Sequence, residues 1–244
     1  MSRTKYARGL GKKAFVELLV SELDERGITP LNVTKEDMKE FHLHVSYDNG
    51  KVKAPCIDLF GGCQGTCDPN VPCAHDCYAQ NGPISWPYRK KLVYLNWLLW
   101  CADPERYERE VIAAIINYCF ARFHADGDIP DPSYLGMLRR VKAVCKDTTI
   151  WLMNKRGYWV DDDIDQNGDF PAGLIILMSN WGNWRQKNKH GLPVFWVILK
   201  NGAGRDKLPA NAFPCPGDCD YCKAHHCGCP YAKKGDVIWI NQHR

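Results

Sequence analysis

Two nearly continuous apolar runs, LIILM at 174–178 and VFWVIL at 194–199, constrain this chain more than any other feature it carries. A strand with one wet face alternates apolar and polar residues, so an unbroken run rich in Ile, Leu and Val reads as a strand covered on both faces, as in a parallel sheet. Cys119 to His124, Thr149 to Met153 and Val237 to Ile240 read as further strands, and a short apolar stretch between Val52 and Phe60 supplies one near Ile57. Helical patterns lie between them. One runs from Trp86 to Trp100, breaks at Asp103-Pro104 and resumes from Glu105 to about Tyr118, and another covers Pro132 to Val144. Strands interleaved with helices predict an α/β domain with a parallel sheet, either open or closed into a full or partial barrel.

Phe15, Leu18, Leu19 and Leu23, at helical spacing before Gly27, predict an N-terminal helix over residues 12–26. The expected organisation is a helical extension over 1–50 and an α/β domain over 51–244 that ends in a cysteine-rich segment. The acidic stretch DDDIDQNGD at 161–169 sets Asp163, Asp165, Asn167 and Gly168 in step with the first half of a calcium loop. Leu174 stands where the bidentate Glu belongs, so a solvated acidic loop is expected.

Composition narrows the function classes. With 45% hydrophobic and 25% charged residues, disorder and collagen-like repeats are excluded. A net charge of +4 is too small to argue by itself for a nucleic-acid or membrane-surface partner. No apolar run approaches the roughly 20 residues that span a bilayer, and the basic start MSRTKYARGLGKKAF lacks the apolar core of a signal peptide. A cytoplasmic protein with no membrane partner is expected, in which thiols stay reduced and clustered cysteines read as metal or cluster ligands.

Thirteen cysteines are present, and ten of them fall in two clusters. In GGCQGTCDPNVPCAHDCYAQ, Cys67, Cys73 and Cys77 are separated by five and then three residues, with Cys63 as an extra candidate. Three thiolates on one irregular loop can converge on a soft metal or an iron-sulfur cluster. CPGDCDYCKAHHCGC supplies Cys215, Cys219, Cys222, Cys227 and Cys229, enough for a closed zinc site or a second cluster. Cys101, Cys119 and Cys145 lie on apolar faces and are expected in the core.

The segments TCDPNVPCAHDCYA, RFHADGDIPDPSYL, TIWLMNKR and CPGDCDYCKAHHCGC, in that order and followed by a final strand before His243, resemble the phage "gene product 88" family of radical-SAM-like proteins. The resemblance covers about residues 54 to 243. It implies a partial (β/α) barrel of radical-SAM type and a [4Fe-4S] cluster on Cys67, Cys73 and Cys77. It also implies S-adenosylmethionine (SAM) on the remaining iron, cleaved by an electron donor to methionine and a hydrogen-abstracting 5′-deoxyadenosyl radical. For a phage-encoded chain the compartment is the host cytoplasm. The superfamily's familiar spacing is three and then two residues with an aromatic before the last cysteine, whereas here the aromatic, Tyr78, follows Cys77.

Ligand residues in such folds gather at the carboxyl ends of parallel strands. The strand ending in Ala125-Asp126-Gly127-Asp128 makes Asp128 the candidate for the SAM ammonium, with His124 and Asp126 nearby; capping the next helix is the alternative role. Lys155 and Arg156, after TIWLM, are candidates for a carboxylate or phosphate. Ser179 and Asn180, after LIILM, are candidates for ribose hydroxyls, and His243 for a hydrogen bond to the site.

Three functional classes follow. The first is a radical SAM enzyme acting on a nucleotide, nucleic acid or peptide. The second is a non-catalytic iron-sulfur or zinc-bearing protein that binds nucleic acid or a host protein, for which WGNWRQKNKHG (181–191) interleaves aromatics with Arg185, Lys187 and Lys189 as single-strand binders do. The third is a purely zinc-stabilised structural protein, against which the open three-cysteine motif argues.

Overall fold

The computed structural model describes residues 11–47, 52–61, 65–74, 77 and 85–242. Among these, the strands are β1 (Cys56–Ile57), β2 (Phe120–Phe123), β3 (Thr149–Asn154), β4 (Leu174–Trp181), β5 (Val194–Ile198), β6 (Phe213–Pro214) and β7 (Val237–Asn241). They form one sheet in the order β1-β2-β3-β4-β5-β7-β6, every pairing is parallel, and the sheet does not close. The α/β expectation is met in its open, partly wound form.

Parallel strands laid side by side in chain order need crossovers of one hand, which drop the connecting helices on one face. Those helices are α1 (Lys12–Glu25), α2 (Pro87–Ala102), α3 (Pro104–Ile115), α4 (Ser133–Val144) and α5 (Gly157–Asn167), and a short α6 (Cys219–Ala224) lies in the cysteine-rich segment. Side chains alternate across each strand. Ile150, Leu152 and Ile176 join the core under the helices, with Leu99, Val111, Leu138 and Val160, whereas Trp151 and Leu177 join a second core on the opposite face. Both faces are covered, which is why the runs are unbroken. The second core includes Trp181, Phe195 and Ile238, and Cys73, Cys215, Cys219 and Cys229 pack against it.

The Asp103-Pro104 break is a helix start: the Asp103 carboxylate accepts from the Arg106 N–H, and Pro104 opens α3 where its missing N–H costs nothing. The N-terminal extension is not a separate body. Val16, Leu19 and Leu23 of α1 belong to the core under the helices, and Arg106 of α3 holds the Met38 carbonyl at 2.9 Å.

Several expectations are corrected. The acidic stretch is no loop, because its first seven residues complete α5, whose buried Val160 and Ile164 stand one turn apart. Asp163 and Asp165 face outward to Arg139 and Lys189. β4 runs three residues beyond Met178, so Ser179 and Asn180 belong to the strand. Cys145 is buried, but Cys101 is half-buried and Cys119 is exposed, because it precedes β2. No helix among the described residues is long and apolar enough to cross a membrane.

Candidate functional site

The carboxyl ends of β1, β2, β3 and β4 carry a dense set of buried polar groups: Asp58, His124, Asp126, Asp128, Asn154, Ser179 and Asn180. Burying such groups is costly unless each is matched, so their concentration at one edge of the sheet marks the site.

Asp58, directly after β1, organises it. Its Oδ1 accepts from the Ala125 and Asp126 N–H groups at 2.6 and 3.2 Å, and its other oxygen pairs with Arg89 of α2. Thr66 does the same for the cysteine loop. Its hydroxyl donates to the Phe60 carbonyl and accepts from the Asp128 N–H at 2.8 Å, and its carbonyl accepts from Arg156 at 2.8 Å. Cys67, the next residue, is thereby fixed to the ends of β2 and β3.

The Asp128 carboxylate is committed to backbone, accepting from the Ile129 N–H at 2.8 Å and the Lys155 N–H at 3.0 Å. It does not cap α4: Asp131 accepts from the Ser133 N–H at that helix start. Asp126 is the more open carboxylate, because its buried Oδ1 has no hydrogen-bond partner among the described residues. Burial, with Asp58 adding to it and Arg89 working against it, pushes the Asp126 carboxyl up to about 7. Gly61 lies so close above it that a Cβ there would stand 2.0 Å from that same oxygen.

His124 is held in left-handed backbone at φ 55°, a conformation that costs energy for any residue but glycine. Its Nε2 meets the Tyr134 hydroxyl at 3.2 Å, while Nδ1 is buried without a partner among the described residues. Burial, and secondly Lys155, pulls its pKa down to about 3, so the ring is neutral.

Lys155 brings the first cysteines together. Burial works to lower its pKa, but Cys73, Asp128, Cys67 and Cys77 outweigh that, so all three predicted thiols are its electrostatic neighbours. Arg156 is spent on Thr66 and on stacking over Trp159 at 4.4 Å. Gln186 closes the far side, donating to the Asn154 and Ser179 carbonyls at 2.6 and 3.2 Å and accepting from the Gly157 N–H. Cys63, Tyr78 and His243 lie outside the described residues.

The second cysteine group is separate. Cys222 has Cys227, Cys215 and Cys219 as neighbours, and Cys229 has Cys215, Cys219 and Cys222. Burial first, then these thiols, push Cys222 up to about 12 and Cys229 higher still. Cys56 of β1 faces Cys219, and Arg122 of β2 opposes the rise at both Cys56 and Cys229.

Among the described residues, no three Cys, His, Asp or Glu side chains already stand in a metal-holding array. The donor chemistry nonetheless fits soft, thiolate-bound centres at both places, and the unpartnered Asp126 oxygen fits a ligand's donor group. Asp58, Thr66, Arg89 and Gln186 were missed in the sequence. Only Asp58 carried a signal, a carboxylate at the end of a strand.

Fold and rim together define a parallel α/β protein with a thiol-rich site at the carboxyl edge of its sheet. No family model matches the chain, and no curated protein or solved structure matches it.

Proposed function

We propose that this is an iron-sulfur protein of radical SAM type, related to the phage "gene product 88" family. In this reading Cys67, Cys73 and Cys77 hold a [4Fe-4S] cluster, and SAM binds beside it. The observation that carries the reading is the gathering of those three thiols around Lys155, at the carboxyl rim and next to a buried carboxylate with an unused oxygen. When bound, the cluster and SAM supply one-electron chemistry that removes hydrogen from a substrate, and a separate protein or reductant delivers the electron.

The chain's own residues bind and orient. Asp126 accepts the donor group of the ligand with Oδ1, in preference to Asp128, whose oxygens fix Lys155 and the loop before α4. Ser179, on the buried inner side of β4, lines the floor with Asn180 beside it, and Gln186 keeps both strand ends in place. The nucleotide, nucleic acid or peptide substrate enters over this rim. The C-terminal cysteines hold a second cluster or zinc that staples β6 and β7 to the inner face; the Cys215 N–H already donates to the Trp239 carbonyl at 2.7 Å.

The aromatic and basic segment 181–191 gives the nucleic-acid-binding alternative little support. Trp181 and Trp184 pack in the inner core, Arg185 stacks on Trp196 at 4.6 Å, and Lys189 pairs with Asp165.

The test is anaerobic purification of the full chain with iron, sulfide and zinc counted, followed by SAM titration of the reduced protein. A [4Fe-4S] spectrum that SAM perturbs, lost in the Cys67, Cys73, Cys77→Ala protein, supports the reading. Iron content and absorption unchanged in that triple variant would overturn it. A cluster blind to SAM would favour the non-catalytic binding protein.

A further inference from the structure

We infer that Lys155 sets the reduction potential of the centre at Cys67, Cys73 and Cys77, a role distinct from binding a ligand carboxylate and one that rests on the cluster reading above. The argument starts from how firmly the residue is held. Its N–H donates to Asp128 Oδ2 at 3.0 Å, and Asp128's own N–H donates to Thr66, the residue before Cys67. Arg156, the next residue, holds the Thr66 carbonyl with two of its nitrogens, at 2.8 and 3.2 Å. The start of the cysteine loop and the end of β3 are therefore laced together on both sides of Lys155, and the ammonium stays with the thiols when either segment moves.

Its charge is the mobile-chain cation that faces them. Arg156 is directed to Thr66 and Trp159, and the described carboxylate beside Lys155 is Asp128. The side chain is half-buried, where charges are screened less than in water. Adding an electron to a thiolate-bound centre makes it more negative, so a fixed cation favours the reduced form and raises the potential; net charge near a cluster is one of the settings by which proteins tune it. Lys155 thus makes the first electron easier to accept without touching the substrate.

The experiment is an anaerobic redox titration of the full-length protein, wild type against Lys155→Gln and Lys155→Arg, with iron and sulfide counted in each. Lys155→Gln is expected to hold the same iron and to reduce at a lower potential. The shift expected is at least tenfold in the reduction equilibrium, about 59 mV for one electron. Lys155→Arg, which keeps the charge, is expected to stay close to wild type. Equal potentials in Lys155→Gln and wild type would overturn the assignment while leaving the cluster reading intact. Loss of the cluster from both variants would overturn it as well, by making Lys155 a part of the assembly. A wild-type protein without a cluster at the three cysteines would remove both readings together.

Discussion

The two cysteine groups use one residue type in opposite surroundings. At the rim, Cys67, Cys73 and Cys77 share a cation, stand on an irregular loop and border unmatched polar atoms. Over the inner face, Cys215, Cys219, Cys222, Cys227 and Cys229 have chiefly one another, and three of them pack on apolar Trp151, Leu177, Phe195 and Ile238 or their neighbours. Thiols that raise one another's pKa are protonated until a metal displaces the protons, and the metal then supplies the missing attraction. Surroundings, more than spacing, separate a centre built to meet a ligand from one built to hold the chain.

The largest expected effect breaks the comparison if it fails. Replacing Cys219 and Cys222 by Ser should forfeit most of a metal-binding free energy that reaches about 10–16 kcal/mol for structural zinc. Thermal melting should show loss of the cooperative transition. The Cys67, Cys73, Cys77→Ser protein should keep it, and equal losses in the two variants would show that both groups are structural.

Asp58→Ala comes next, because it leaves Arg89 without its partner and two N–H groups unmatched. Breaking a buried pair costs about 3–5 kcal/mol. Chemical denaturation should report that loss, together with weaker SAM binding at the rim.

Asp126→Asn sharpens the contrast through pH. Between the ordinary carboxyl value of 3.8 and about 7, the unfolded chain has lost the proton that the native site keeps. Stability conferred by protonated Asp126 is present at low pH and is lost as pH rises through this window, at no more than about 1.4 kcal/mol per unit. The variant lacks that loss, so its advantage over wild type should grow with pH and level off above 7. A difference that is flat with pH would show that Asp126 is not held protonated. Smallest is Thr66→Val, which removes two hydrogen bonds at about 0.5–1.5 kcal/mol each. Its effect should fall on iron retention at the rim and leave the second group's metal content unchanged.

Much of this was legible in the sequence, and for physical reasons. Burial on both faces writes itself as LIILM and VFWVIL, and cysteine is too reactive and too rare for ten clustered copies to go unnoticed. α5 was hidden because its two apolar anchors, Val160 and Ile164, are surrounded by aspartates that a short window reads as loop. β6, two residues long, left no pattern. At the rim, residue type revealed Lys155, Asp126 and the thiols, but not their supports. Asp58, Thr66 and Gln186 act on backbone groups 29 to 68 positions away in several of their contacts, and such pairings exist only after the sheet has formed. The left-handed backbone of His124 is likewise imposed from outside the residue.

The sheet order also has a consequence during synthesis. β6 is made before β7, yet β7 is its hydrogen-bonded neighbour and separates it from β5. A chain emerging from the ribosome at about 5–20 residues per second therefore carries β6 unpaired for roughly one to six seconds. During that interval the five cysteines between the two strands are threaded out with no finished surface to settle on, so the nascent chain meets its metal supply and its oxidants at the same moment.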